Sequence, residues 1–140
     1  MSDVQGVNTT KYDAGTSDTT WIDQGLIKSG LKVWTDSYEA AALAAGQTIG
    51  VAQLPAGAVI HGIDLEFDAL GAATVDVGDS TDPNRYKNAV DVSSADSDTG
   101  ILVDGAQYVI GTNAGDNDII ITTAAAAITG TIKSTVYYTN

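Results

Sequence analysis

The sequence predicts an all-β protein, an antiparallel β-sandwich of jelly-roll type with an extended N-terminal arm. Of its 18 acidic residues only Glu39 and Glu66 are Glu, and the rest are Asp, which favours turns over helix interiors. About eight strand-like segments follow one another at a spacing of roughly 8–12 residues, which is typical of a sandwich or barrel. Within residues 58–68, every second side chain from Val59 to Phe67 is apolar except His61.

Length and composition exclude several classes of protein. A chain of 140 residues fits one domain, and the absence of Cys excludes disulfide scaffolds, Cys-based zinc sites and Cys nucleophiles. The formal net charge of -12 repels phosphate, so neither a nucleic acid nor an anionic membrane is expected as a partner. No apolar run approaches the ~20 residues that cross a bilayer, and no signal peptide is visible.

The first 25 residues are polar and lack a regular period, so they cannot build a core of their own. We interpret residues 1–25 as an extended arm, with a disordered tail as the alternative, and residues 26–140 as the sandwich domain. Tyr12, Trp21 and Ile22 are the large apolar groups of the arm, and we expect them to contact a partner or a second copy.

The first predicted strand covers residues 31–38. Leu31 and Val33 lie on one face, while Trp34 and Tyr38 lie on the other. Bulky groups on both faces predict that both are covered, which suits a partner or oligomer contact at Trp34 and Tyr38.

The next segments are an alanine run and a second strand. Residues 40–45 favour either a short helix ended by Gly46 or a compact loop. Residues 48–54 predict a strand that stops at Pro55.

Residues 58–68 have the clearest period of the chain. The alternation places Val59, His61 and Ile63 on the core face and Ile60 with Asp64 on the other. Because His61 is the only imidazole and is predicted among apolar neighbours, a packing or subunit-contact role is favoured over catalysis.

The remaining chain contains further strands and the turns between them. The clusters at 93–100, 115–117 and 124–127 predict an acidic loop, a hairpin turn and a bend. The strands are predicted at residues 74–77, 86–92, 107–112, 118–123 and 128–139.

Three acidic residues, Asp76, Asp79 and Asp82, are weak calcium candidates because their loop is rich in oxygen ligands. Their spacing does not fit the EF-hand pattern, and Asp is the default turn residue, so turn chemistry is favoured over a metal site. No cofactor is indicated.

Two basic residues, Arg85 and Lys87, flank Tyr86 directly after an Asp-Pro turn. They could anchor an acidic partner, or pair locally with Asp82 or Asp91. Since no phosphate-binding loop, HExxH or GxSxG motif occurs, the chain is not expected to be an enzyme.

Two stretches resemble a known class of protein. Residues 54–67 read LPAGAVIHGIDLEF and residues 74–86 read TVDVGDSTDPNRY. Their order and spacing resemble head decoration (cement) proteins of tailed bacteriophages, over residues 26–140 and most closely over 46–92. The resemblance implies a virion structural protein that binds the major capsid protein on the outside of the assembled head, often as a trimer. It also implies assembly in the host cytoplasm.

A second hypothesis is a carbohydrate- or receptor-binding module of a phage tail or fibre, since jelly rolls occur in lectins. Trp34 and Tyr38 share a strand face and would form the aromatic platform that sugars require.

Overall fold

The structure, a computed structural model, describes residues 30–99, 108–111 and 118–140. The predicted arm and the predicted hairpin turn at 115–117 lie outside these residues. Leu31–Asn140 form one compact unit. The described strands are β1 Lys32–Leu43, β2 Thr48–Gln53, β3 Val59–Phe67, β4 Thr74–Gly78, β5 Lys87–Asp91, β6 Asp96–Asp98, β7 Asp118–Ala124 and β8 Ile128–Thr139.

The strands form two antiparallel four-stranded sheets, which confirms the predicted all-β sandwich. Sheet A has the order β1-β8-β3-β6, and sheet B has the order β2-β7-β4-β5. Successive strands alternate between the sheets, except β4 and β5, which pair with each other within sheet B. This winding is the one expected of a jelly roll, in which two Greek keys wrap into a sandwich.

The core lies between the two sheets and consists mainly of branched aliphatic side chains. Sheet A contributes Ile63, Leu65 and Val136, and sheet B contributes Val75 and Ile121, all of them buried. Alternate residues of β7 are buried, as a strand with one face on the core requires.

The alanine run is a strand, so the expectation of a helix or loop at 40–45 was wrong for most of it. β1 continues to Leu43 by pairing with β8, with a bulge between Ala40 and Leu43 where Ala42 has a φ of 56°. Pairing with a distant strand prevails because an isolated run this short gains little from helix propensity.

The predicted core face of β3 was wrong at its beginning. A register irregularity between Ile60 and Gly62 reverses the alternation, so Ile60 is buried and His61 is exposed. Ile63 lies in the core as predicted, and Leu65 and Phe67, which continue the same alternation, are buried as well. A nitrogen of His61 lies 2.9 Å from the Thr139 hydroxyl.

The acidic loop predicted at 93–100 contains a short strand. β6 pairs with the end of β3, Leu65 opposite Asp98 and Phe67 opposite Asp96. The segment predicted as a strand at 107–112 is described only at 108–111, where Val109 forms an isolated bridge with Val59.

Candidate functional site

The two sides of the sandwich, where the sheets end, carry most of the residues singled out by sequence. On one side β1 and β2 are the terminal strands of the described sheets, and on the other side β5 and β6 are. We call these the β1/β2 side and the β5/β6 side. The described side chains are more exposed on the β1/β2 side than on the β5/β6 side.

The β1/β2 side leaves a long strand open to solvent. All residues from Lys32 to Glu39 are exposed, and the first buried residue of β1 is Ala40. The expectation that both faces of this strand are covered is therefore not met by the residues that the structure describes. The exposed fractions are 60% for Leu31, 53% for Val33, 37% for Trp34 and 39% for Tyr38. These four residues form the exposed apolar strip.

A groove of about 320 Å³ runs beside this strip. Trp34 and Asp36 of β1 line one wall, and residues of β2 and β7, including Val51 and Ile120, line the other. Asp118 stands at the groove and accepts a 3.0 Å hydrogen bond from the Gln53 amide. The groove therefore combines apolar walls with two carboxylates.

The outer face of sheet A holds a larger and more polar depression of about 760 Å³. Its lining includes Asp64, Glu66 and Lys133, and an exposed ion pair joins Lys133 to Glu66 at 3.4 Å. At the same face the Tyr137 hydroxyl donates a 3.0 Å hydrogen bond to Asp64, and this bond raises the pKa of Tyr137. The lining of this depression is therefore more polar than that of the groove beside Trp34.

The β5/β6 side is closed by an ion pair. The Lys87 ammonium is almost completely buried and contacts a carboxylate oxygen of Asp98, which joins β5 of sheet B to β6 of sheet A. The sequence predicted an acidic partner for Lys87 but not this one, because Asp98 was assigned to a loop. Pairing with β3 is what carries Asp98 to the edge of sheet A.

The Arg85 guanidinium forms an ion pair within the turn that leads into β5. Its Nε donates a 2.7 Å hydrogen bond to the fully buried Asp79, whose other oxygen accepts from the Thr81 backbone and hydroxyl and from the Asp82 backbone. Burial raises the pKa of Asp79, but the hydrogen bonds from Arg85, Thr81 and Asp82 outweigh it and hold that pKa below its ordinary value. Of the two predicted local partners, Asp82 lies farther from the guanidinium than Asp79 does, at 3.8 Å, and Asp91 accepts a hydrogen bond from the Ser93 backbone.

An aromatic pair completes this turn. The Arg85 guanidinium lies 4.2 Å from the centre of the Tyr108 ring, and Tyr108 packs edge-to-face on Tyr86. Tyr86 is fully buried, so its ring forms part of the core. Among the predicted contact residues that the structure describes, Arg85 and Tyr86 make structural contacts within the chain, while Trp34 and Tyr38 are exposed.

The three calcium candidates have separate local contacts. Asp76 accepts a 2.7 Å hydrogen bond from the backbone of Ala89, while Asp79 and Asp82 belong to the turn around Arg85. Within the described residues no three acidic or imidazole side chains gather as a metal site would require. Tyr12, Trp21 and Ile22 lie outside the described residues.

Sequence reasoning missed two residues of opposite charge on β1. Lys32 and Asp36 are both exposed and lie on the same side of the strand as Trp34. The signal was present, since residues two and four apart in a strand share a face. Nothing in the sequence indicated that β1 would end a sheet.

Comparisons with known proteins give structural matches only. No family model and no curated protein matches the chain. A chain of the capsid asymmetric unit of cyanophage Pam1 is similar at a TM-score of 0.68 and 24% identity, over 79% of this chain and 85% of that one. A capsid chain of Ralstonia phage GP4 gives 0.62 and 19%, over 79% and 84%.

A chain from the acid-stable capsid of Helicobacter pylori bacteriophage KHP30 is also similar, with a TM-score of 0.56 at 17% identity, over 80% of this chain and 89% of that one. The three neighbours are chains of phage capsid structures, and their likeness extends over most of each chain. At these identities the likeness shows a shared fold.

Among the described residues there is no helix long and apolar enough to cross a membrane.

Proposed function

We propose that this chain is a virion structural protein of a tailed phage, a decoration or cement protein that binds the outer surface of the assembled head. The observation that carries the proposal is the likeness in fold to chains of three phage capsids over about four fifths of the chain. The neighbours are covered to a similar extent, so they are chains of similar length. The proposal is of a structural protein rather than an enzyme.

The proposed mechanism is mechanical. A rigid sandwich that buries surface across neighbouring shell subunits resists their separation under the pressure of packed DNA. Each contact is weak, but symmetry repeats it over the shell and avidity supplies the holding strength. We propose the major capsid protein as the partner and a trimer as the oligomer.

The exposed apolar strip is the proposed surface for partner or oligomer contact. Large apolar groups exposed to water often mark an interaction site, and four of them lie within residues 31–38, Leu31 and Val33 on one face of the strand and Trp34 and Tyr38 on the other. The net charge of -12 favours solubility and keeps decorated particles apart.

Co-sedimentation tests the proposal. Purified protein is mixed with expanded heads and, separately, with unassembled coat protein, and each mixture is pelleted or fractionated. We expect saturable binding to expanded heads and much weaker binding to free coat subunits. Equal binding to both forms, or no binding to heads, contradicts a decoration role.

A matched pair of variants links binding to the strip. Tyr38→Ser removes an exposed aromatic ring from β1, whereas Thr135→Ser changes the polar outer face of the same sheet. We expect the first to weaken binding to heads and the second to leave it unchanged.

Carbohydrate or receptor binding is the second candidate. Trp34 and Tyr38 are partly exposed on one face of β1, four residues apart, which places them about 13 Å apart along the strand. A glycan array distinguishes carbohydrate binding from a decoration role. Specific binding that is lost in Trp34→Ala would favour this second function, and an empty array together with binding to heads would exclude it.

A further inference from the structure

The four terminal strands of the described sheets are not equally protected against pairing with another chain. β6 has only three residues, the register of β2 shifts between Gly50 and Ala52, and the register of β5 against β4 shifts between Val75 and Val77. Short edge strands and bulges are the devices by which proteins prevent edge-to-edge association.

β1 has neither device over most of its length. It pairs with β8 without interruption from Lys32 to Ala40, and its bulge lies only beyond that point. It contains no Pro, and eight successive residues are exposed. Among the described residues no strand pairs with the other edge of β1, and a long regular edge of this kind is a template for another strand.

We propose that the edge of β1 pairs antiparallel with β1 of a second copy of this chain, with Trp34 at the two-fold axis. The charges on the strand support this occupant. Lys32 and Asp36 lie on the same side of β1 but about 13 Å apart, which is too far for a contact within one strand. Pairing around Trp34 places each Lys32 directly opposite Asp36 of the second copy.

The two-fold symmetry restricts the other registers. When a two-fold axis relates two antiparallel strands of one sheet, directly opposite side chains lie on the same face of that sheet. Each residue of β1 can therefore stand opposite only a residue that lies on its own face of the strand. Pairing around Asp36 would bring this carboxylate against its own copy, and like charges directly opposite are destabilising. Pairing around Thr35 would set Trp34 against Asp36 and leave Lys32 opposite Tyr38.

Pairing around Trp34 also matches the apolar groups. The two indole rings meet at the axis, on the face that borders the groove, and two ion pairs flank them. On the other face Val33 stands opposite Thr35 of the second copy, a β-branched pair that suits a sheet. Sheet A then continues from one copy into the next as eight strands.

This contact is different from the one that would close a trimer. A two-fold contact uses the same patch on both copies and ends there, whereas a ring of three requires two different patches. The inference does not depend on the proposed function, since it can be measured without heads. On a shell it would join neighbouring trimers, where the high local concentration supports a weak contact.

Single cysteines test the register directly. Because the chain has no Cys, a disulfide in a single-Cys variant can form only between copies. The full chain is prepared as Trp34→Cys, Thr35→Cys and Asp36→Cys, mildly oxidised at high protein concentration and analysed on a non-reducing gel. We expect Trp34→Cys to form the dimer about tenfold faster than the other two, because only directly opposite residues bring Cβ atoms within disulfide reach.

A mixture and a control complete the experiment. Lys32→Cys mixed with Asp36→Cys should form the heterodimer, while Glu66→Cys, on the exposed outer face of sheet A, reports random collision. Faster linkage at Thr35→Cys or Asp36→Cys overturns the proposed register. Linkage no faster than that of Glu66→Cys at every position overturns self-pairing.

Charge exchange tests the same contact with Trp34 in place. Lys32→Asp and Asp36→Lys should each weaken self-association about tenfold, since each turns two opposite-charge pairs into like-charge pairs. The double variant should restore it, and Lys133→Asp, with the same change of charge as Lys32→Asp, should have no effect. Light scattering over a concentration series measures the association, and failure of the double variant to restore it contradicts the pairing.

Discussion

The β5/β6 side and the β1/β2 side of the sandwich use the same kinds of residue in opposite ways. On the first, Lys87 and Asp98 come from strands of different sheets and meet across the side, where the lysine is buried. On the second, Lys32 and Asp36 come from one strand and both remain exposed. Placement in the fold, rather than residue type, therefore separates a pair that closes the molecule from a pair available to another chain.

The largest loss of stability is expected in the turn that leads into β5, on the β5/β6 side. Asp79→Ala removes the carboxylate that accepts from Arg85, Thr81 and Asp82. We expect the free energy of unfolding to fall by about 3 kcal/mol, the lower end for a broken buried pair, because Arg85 is partly exposed. Urea unfolding measures the change.

Asp82→Ala is the matched control for this variant. Its carboxylate lies 3.8 Å from Arg85 and is partly exposed, so a much smaller loss is expected. Equal losses in the two variants would show that the buried hydrogen bonds of Asp79 are not what stabilises the turn.

The two sides can be compared by the same substitution at each. Asp98→Ala removes the carboxylate that the buried Lys87 ammonium contacts, and we expect a loss of about 1–3 kcal/mol. Asp36→Ala on the exposed strand should change stability by less than about 0.5 kcal/mol. Thermal unfolding measures both, at a protein concentration too low for β1 to self-associate.

A larger loss for Asp36→Ala than for Asp98→Ala would reverse the comparison, since the β1 edge would then stabilise the single chain.

The contribution of Asp79 to the stability of the fold should depend on pH. Its pKa in the folded protein lies below the value in the unfolded chain, so its contribution is complete above the unfolded pKa and is lost as pH falls through the folded pKa. Wild-type protein should therefore exceed Asp79→Asn in stability by more at pH 7 than at about pH 3. Urea unfolding at the two pH values tests this, and an equal difference at both would contradict it.

A small effect of the opposite sign is expected beside β1. Ser134 of β8 stands opposite Asp36, is buried, and its hydroxyl has no hydrogen-bond partner among the described residues. Ser134→Ala should raise the free energy of unfolding by up to about 1 kcal/mol, because a buried hydroxyl without a partner is costly. The adjacent Thr135→Ala, on the outer face, should not; a loss in Ser134→Ala would show that the hydroxyl is satisfied.

Much of the fold could be predicted from sequence because strands leave a period of two and Asp/Gly turns mark their ends. The segments at 48–54, 118–123 and 128–139 correspond closely to β2, β7 and β8. The errors arose where pairing with a distant strand prevails over the local pattern. The alanine run is held as a strand by β8, and Asp96–Asp98 become a strand only by pairing with β3.

The candidate site was predictable only in part. Trp34 and Tyr38 were identified from their shared face, and the structure leaves both partly exposed. Arg85, Tyr86 and Lys87 looked equally available, yet two of them are buried and Arg85 is bound to Asp79. No local pattern distinguishes these cases, because exposure depends on which strand ends a sheet.

The sequence by itself determined the all-β class, the approximate positions of most strands and the acidic character of the protein, since composition and period are local properties. The tertiary structure alone decided the order of the strands, the reversed alternation that exposes His61 and the contrast between the two sides. The physical reason is that sheet order and register depend on hydrogen bonds between residues far apart in the chain.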